Sequence, residues 1–540
     1  MSAESPPDGG TQVFTRKATG LRREASTADV FIYNTNNQNI GIGVAFVVLL
    51  VPALYVGGSM VTATILAGLL ALPMAAVYAY FAAAMPRSGG DYVYIGRTLH
   101  PFLGFLASWN WVVWLITYSG IPAAYLAQYG LSGLCRELGY VFDSPTLVGY
   151  GEDFTRKWWV FVAGSLLLIF FAIVFSIGTR LYFRIQNTTF AIAFLGVVVG
   201  IAILAVKGHS ETQQSFNGYI SGIGGVDNAT GSLSKYSENL QQAGFDLKQT
   251  LYAMVWPLFI TLYAITSSFI GGEMRNARRS QFLAMPGSVV FVTVLMLLLL
   301  VGLGHAAGTT FLGQLGYPLP ADVPGVLGIS SIPTYNELIA SMVRDQGWLV
   351  VLLGVGFVFW TYVWLPINFL AATRAFLAWA FDGLLPRQLA HVNERFHTPV
   401  VAIVVTWILS EICLYLYVDG IFNTLNGIWA WIWSFVLCSI AAMVFPYRRR
   451  ELWRSSPYNG STFGIPNITL LGALSTACLL FCQYWFWTDP IQGYDSWGTT
   501  LRWVMALIIP SAIVVYLLAT FASRRSGVPL EKAFAEIPPE

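Results

Sequence analysis

Apolar runs long enough to cross about 30 Å of hydrocarbon recur along nearly the whole of this sequence. No other feature constrains the fold as much, because one soluble core has no use for so many such runs. Twelve segments are predicted: 39–57, 61–84, 103–128, 158–177, 185–206, 251–272, 287–307, 348–376, 399–418, 424–446, 468–487 and 501–522. The chain is 56% hydrophobic and only 10% charged, whereas soluble domains carry about a quarter charged residues. The expected fold class is therefore an all-α membrane protein with twelve transmembrane helices.

An even number of crossings puts both termini on one side. All but eight of the 29 lysines and arginines fall in segments on that side; the eight are Arg136, Arg156, Lys157, Lys207, Lys235, Lys248, Arg344 and Arg502. The opposite side nevertheless holds the three longest linkers, 131–157, 207–250 and 308–347. By the positive-inside rule both ends are expected in the cytoplasm. Trp158, Trp159, Trp485, Trp487 and Trp503 near segment ends suit an interfacial belt. The polar start, MSAESPPDGG, lacks a cleavable signal pattern, so the segments themselves are expected to target the chain, with the plasma membrane as its location. The 207–250 linker, rich in Gly, Ser, Asn and Gln, reads as a loop with local structure rather than a domain. Five cysteines form neither a disulfide ladder nor a metal pattern, and a net charge of +2 without a basic domain gives no reason to expect nucleic acid. No cofactor or metal is expected.

Four segments carry residues that an ordinary apolar helix would avoid. Residues 31–43 read FIYNTNNQNIGIG, crowding Asn34, Asn36, Asn37, Gln38 and Asn39 against the first run. Side-chain amides are costly in hydrocarbon unless satisfied. The following Gly-Ile-Gly lets a backbone leave helical geometry and approach a ligand; it equally suits a close helix–helix contact. The sixth segment contains Pro257, Thr261, Thr266, Ser267 and Ser268, so it combines a lost backbone donor with hydroxyls that pair with a broken ladder. The third places Asn110, Trp114 and Tyr118 on one face, with Ser119 adjacent, and the eighth holds Thr361, Pro366, Asn368 and Thr373. Broken membrane helices are tolerable only against protein or a wet cavity. Two of them five positions apart suggest an internal repeat of five, and inverted repeats of that kind place a binding site at the bilayer midplane. A helix N-terminus there stabilises a carboxylate, and a carbonyl end accepts from an ammonium. No acid or base lies at the centre of these four segments.

Three motifs then carry a resemblance. PRSGGDYVYIGRTLHPFLGFLASW (Pro86 to Trp109), GGEMRNARRS (Gly271 to Ser280) and RAFLAWAFDGLLPRQLAHVNERFHTPVVA (Arg374 to Ala402) are similar, in order, to signature segments of the amino acid–polyamine–organocation transporters. The chain resembles the amino-acid permease group of that family over roughly residues 14 to 525. In the second motif Ala277 stands where the family usually has proline. The resemblance implies a LeuT-type fold of two inverted five-helix repeats plus two C-terminal helices. On that plan 1–27 is a cytoplasmic tail, 28–206 the first repeat, 207–250 an extracytoplasmic loop, 251–446 the second repeat, 447–522 the last two helices and 523–540 a cytoplasmic tail.

It also implies a substrate site. Gly41, Ile42, Gly43 and Val44 match the glycine motif whose freed amides hold the substrate carboxylate, with Gln38 and Asn39 just before it. Thr261, Tyr263, Ala264 and Ile265 match the unwound stretch of the sixth segment, whose carbonyls receive the amino group. Tyr263 replaces a common glycine, a departure that narrows the pocket or shifts the break. Trp114, Leu115, Ser119 and Asn368 match positions facing the substrate side chain. Asn36 and Asn37 are expected to line the inner vestibule or hold a gate. Arg87, Arg97, Glu273, Arg374, Asp382 and Gly383 are expected to cap helices, pair or anchor gates, with Asp382–Gly383 a turn.

The function implied is secondary active transport of amino acids by alternating access, neutral ones preferred because no pocket acid is evident. An amine, polyamine, nucleobase or organic anion is the alternative cargo. A P-loop is absent, which argues against direct ATP coupling, and no nucleophile–base array suggests an enzyme. Proton coupling or exchange against a counter-substrate is expected; sodium has thin support, since Thr373 is the only hydroxyl in the NFLAATRAF stretch. Glu411 is the sole acid well inside a segment. Proton coupling, a structural hydrogen bond and an oligomer or lipid contact are all open to it. His305, near the outer end of the seventh segment, reads as a surface group.

Overall fold

A computed structural model of the chain describes residues 21–240, 243–318, 322–393, 395–421 and 427–526. Arg16, Lys17 and Lys532, three of the residues used above for orientation, lie outside the described residues, as does most of each expected tail.

Each apolar run becomes a helix. Eleven helices among the described residues are long and apolar enough to cross a membrane, which makes this a multi-pass, all-α membrane protein. The third expected segment forms a 25-residue helix, Pro101–Tyr125, continued by a π turn at Leu126–Leu131. It is not among the eleven because Asn110 and its interior tryptophans and hydroxyls dilute its apolar character.

Burial separates the helices into core and rim. The most apolar window of Leu247–Phe269 is 94% buried and that of Thr27–Leu54 72%, against 28% for Val400–Val418 and 17% for Thr499–Ala522. The two segments richest in polar and helix-breaking residues are thus the ones kept from lipid. Close packing around them comes from small residues. In Met60–Ala84, Ala63, Ala67, Ala71, Ala75, Ala79 and Ala83 recur every fourth residue and are all buried. That helix packs against Ala277–Ala306, and a Cβ on Gly68 would lie 2.6 Å from Thr293 Oγ1. Small residues on one stripe let two membrane helices approach.

The first helix starts earlier than its apolar run. Ser26 and Asp29 form a capping box, the Ser26 hydroxyl accepting from Asp29 N at 3.2 Å and the Asp29 carboxylate from Ser26 N at 2.8 Å. Helix Thr27–Gln38 follows, then one non-helical residue, Asn39, then helix Ile40–Leu54. The eighth segment also differs from expectation. Gly347–Tyr362 and Trp364–Phe381 are separate helices joined at Val363, because Pro366 lacks the N–H that would continue the ladder back to Tyr362.

The three long linkers meet. Arg136 of the first pairs with Glu337 of the third at 3.1 Å, and Tyr219 of the second donates to Glu337 at 2.8 Å. The 207–250 linker contributes two short helices, His209–Gly222 and Ala229–Tyr236.

Candidate functional site

Asn39 takes φ 46°, ψ 76°, a left-handed conformation that asparagine tolerates better than most residues. Its N–H donates to Asn36 O at 2.9 Å, closing the helix before it. Its side-chain oxygen accepts from Ile42 N at 3.2 Å and its carbonyl from Gly43 N at 3.0 Å, opening the helix after it. Of the first-turn amides, those of Ile40 and Gly41 have no intrahelical acceptor, as the geometry of any helix start requires. Gly41, Ile42, Gly43 and Val44, expected to be unwound, lie instead in the first turns of the helix Ile40–Leu54, and the break is confined to Asn39. The two glycines are close-contact positions: a Cβ on Gly41 would overlap Trp360, and one on Gly43 would lie 2.5 Å from Ile260 Cδ1.

The sixth segment breaks over a longer stretch. Val255–Thr261 is helical, so Thr261 precedes the break rather than belonging to it. Leu262–Phe269 winds as a 3-10 helix, whose tighter bonding leaves α-helical partners unmade. Tyr263, Ala264 and Ile265 lie in it and are fully buried. The shift toward the C-terminus agrees with Tyr263, a bulky residue without glycine's backbone freedom.

Asn37 joins the two breaks. Its Nδ2 donates to Thr266 Oγ1 at 2.6 Å and Tyr263 O at 3.4 Å. Its Oδ1 accepts from Asn368 Nδ2 at 3.1 Å, and its carbonyl from Trp364 Nε1 at 2.6 Å. Asn34 Oδ1 accepts from Ser267 N at 3.1 Å, and Gln38 Nε2 donates to Asn34 O at 3.2 Å. All six residues from Asn34 to Asn39 are buried. Around the break Gln38 Oε1, Asn39 Nδ2 and Asn368 Oδ1 are buried with no protein partner. Unsatisfied buried polar atoms of this kind call for water or a ligand. Asn36 faces elsewhere, onto a small open crevice shared with Tyr182, Gln186 and Pro366.

Aromatic rings fill the space beside the breaks. Tyr263 lies with its ring centre 5.5 Å from Trp111, 5.6 Å from Tyr118, 5.6 Å from Phe259 and 5.4 Å from Trp431. Trp364 stands 5.6 Å from Phe259. Phe259 also lines a small open cavity with Val255, Trp256 and Gln492. Trp114 flanks the cluster through Tyr118, at 6.3 Å, and Leu115 is buried beside it in the same helix. Ser119 is not brought to the breaks: its hydroxyl bonds Ile116 O and Ser410 of the neighbouring helix Val400–Val418.

The opposite end of the cluster is sealed. Arg374 meets Glu273 through Nε at 2.5 Å and Nη2 at 3.1 Å, both residues buried. Arg97 Nη2 pairs with Asp382 Oδ2 at 2.6 Å, where the Tyr92 hydroxyl also donates. Glu24 N and Ala25 N donate to Glu273 O. Gly89 N and Gly90 N, at φ 108° and 53°, donate to Phe269 O and Ser268 O at 3.2 Å each. A Cβ on Gly271 would lie 2.6 Å from Arg87 O, so backbone meets backbone there. Asp382 ends its helix and Gly383 turns at φ 83°, the expected turn.

The coupling candidates sit apart from the breaks. Half-buried Glu411 accepts from Ser165 Oγ at 2.8 Å and Trp407 Nε1 at 2.9 Å. Thr373 donates to Phe369 O and to Thr406 Oγ1. His305 is exposed.

A family model described as amino acid permease matches residues 26–519. The chain belongs to the amino acid permease family. It is similar to the branched-chain amino acid permease BcaP of Bacillus subtilis, 22% identical with 92% of this chain and 93% of the relative covered. It also resembles the serine/threonine exchanger SteT of the same bacterium, at 24% identity over 63% and 65% of the two chains. The cationic amino acid transporter 4 of Mus musculus is 22% identical, covering 95% and 75%. In this permease chain the three signature motifs form one contact system: the first docks on the sixth segment's carbonyls, the second supplies Glu273, and the third supplies Arg374 and Asp382. Sequence reading missed Trp111, Phe259, Trp364 and Trp431, because tryptophans are spread throughout the chain and no spacing singles these out. Thr266 and Ser267 were noted as hydroxyls, but no local signal tied them to Asn37 and Asn34.

Proposed function

We propose that the junction of the two breaks is the substrate site of a secondary amino acid transporter working by alternating access. One observation carries the reading. At a left-handed Asn39 the uncapped amides of Ile40 and Gly41 stand beside the unpartnered Gln38 Oε1, Asn39 Nδ2 and Asn368 Oδ1. Amide hydrogens at a helix start suit the carboxylate, and carbonyls of the Leu262–Phe269 stretch suit the ammonium. Phe259, Tyr263 and Trp364 must move aside for substrate to enter, and the cavity at Trp256 and Phe259 is the approach from the outer end. On this reading Pro101–Tyr125 is the twelfth crossing, the helices form two inverted sets of five plus two, and both termini face the cytoplasm. The chain then sits in the plasma membrane with its sealed end inward.

Neutral amino acids are the preferred cargo: among the described residues the buried acids lie outside this junction, and at its inner end Glu273 and Asp382 are paired with arginines. The names of two relatives, a branched-chain permease and a serine/threonine exchanger, agree with that preference. The aromatic faces favour one second reading, an amine held by cation–π contact. Proton coupling or exchange is preferred to sodium, since Thr373 is the only hydroxyl in the NFLAATRAF stretch.

Uptake of a labelled amino acid panel into proteoliposomes tests this, with pH and sodium gradients imposed separately. Saturable, stereoselective flux independent of sodium is expected. Absence of specific flux for every amino acid, from folded and oriented protein, would overturn the reading; flux of amines alone would select the second one.

A further inference from the structure

Asp91 opens the helix Asp91–Thr98 that follows the Ser88-Gly89-Gly90 loop, and it is completely buried. Its Oδ1 accepts from Tyr92 N at 3.0 Å, while its Oδ2 has no hydrogen-bond partner. Among the other buried carboxylates of the described residues, Glu273, Asp382 and Glu337 meet arginines and Asp489 accepts from Tyr55. Glu137 accepts from Asn336 and also keeps one idle oxygen, but the charge of Arg136 acts on it. Among the described residues no cation faces Asp91. The titratable groups around it are Tyr94 on its own helix, Tyr78 on Met60–Ala84 and Cys438 on Ile428–Arg448, all neutral in their ordinary state. A buried carboxylate with neutral neighbours and one idle oxygen is at low energy as the acid.

The position gives that proton a task. The loop ending at Asp91 donates Gly89 N and Gly90 N to the last carbonyls of the 3-10 stretch in the sixth segment. Lifting the loop away frees those carbonyls and exposes Asp91 to water in the same motion.

We propose that Asp91 is a proton-binding site that is occupied while the sealed end is closed and empties to that side of the membrane when the end opens. The site itself rests on geometry alone; calling that end the inner gate rests on the transport reading above.

Burial pushes the Asp91 carboxyl up to about 7, from about 4 when exposed. The sign follows from which state holds the proton. Between about pH 4 and 7 only the closed state binds it, so the closed-to-open ratio falls about tenfold per pH unit as pH rises. Above about 7 both states are ionised and this dependence ends.

Thermal unfolding of purified protein between pH 5 and 8 is one test, comparing wild type with Asp91→Asn, an isostere of the protonated acid. Wild type should lose stability relative to the variant as pH approaches 7, and parallel pH profiles would overturn the proposal. If the variant does not fold, infrared titration of wild type with isotope-labelled aspartate replaces it. A protonated carboxyl band that disappears near pH 7 is expected, and no such band above pH 5 refutes the site. In proteoliposomes, flux should respond to pH on the sealed-end side in wild type and not in Asp91→Asn. If the stability difference is found but flux ignores pH on that side, the gate assignment fails while the proton site stands.

Discussion

The two breaks differ in what holds them open. The first is a single residue, closed and reopened by Asn39 itself through its N–H, carbonyl and side chain. The second runs for eight residues, Leu262–Phe269, and its backbone is held from elsewhere. Asn37 takes Tyr263 O, Asn34 takes Ser267 N, Gln281 donates to Ser267 O at 2.8 Å, and the Gly89–Gly90 loop takes Phe269 O and Ser268 O. A self-contained break behaves as a fixed element. A break assembled from three other parts of the chain changes when those parts move, which makes the sixth segment the responsive half of the junction.

That contrast can be broken at several points. The largest effect is expected where the sixth segment ends. Arg374→Ala leaves Glu273 buried and unpaired and should cost about 3–5 kcal/mol, read as a large fall in thermal stability. Arg374→Ala with Glu273→Ala should lose less than the sum of the two single variants; strict additivity would deny the coupling. Asn37→Ala removes the link between the breaks and should cost about 1–3 kcal/mol, with loss of uptake. Gly41→Ala drives a methyl into Trp360 and should cost about 1–3 kcal/mol, with Gly43→Ala cheaper because the flexible end of Ile260 yields. The smallest effect should be Asn39→Gly, a few tenths of a kcal/mol, since glycine accepts the left-handed backbone and serves as a helix start. A large loss there, measured by unfolding, would mean that the first break is not self-contained.

The same contrast explains what could be read from sequence. The apolar runs fixed the helices because span length is a one-dimensional property. The first break was visible as an asparagine beside Gly-Ile-Gly, although the glycines proved to be contact points and the asparagine the break. The break in the sixth segment was signalled by Pro257 and its hydroxyls. Its placement at Thr261 to Ile265 rested on resemblance to a family and began too early, since the residues that hold it lie 14 to more than 200 positions away. Asp91 lies between the second and third apolar segments, where an acid ordinarily meets water, so nothing local in the sequence signals its burial. Glu411, an acid well inside a segment, is held by Ser165 and Trp407, away from both breaks.

Binding of labelled amino acids to purified protein tests the central claim most directly, comparing wild type with Asn37→Ala and Gly41→Ala. The account predicts that wild type binds at least one L-amino acid in preference to its mirror image. Affinity should fall at least about tenfold, or about 1.4 kcal/mol, in both variants while they remain folded. Unchanged affinity in both would place the substrate away from the junction of the breaks and contradict the account.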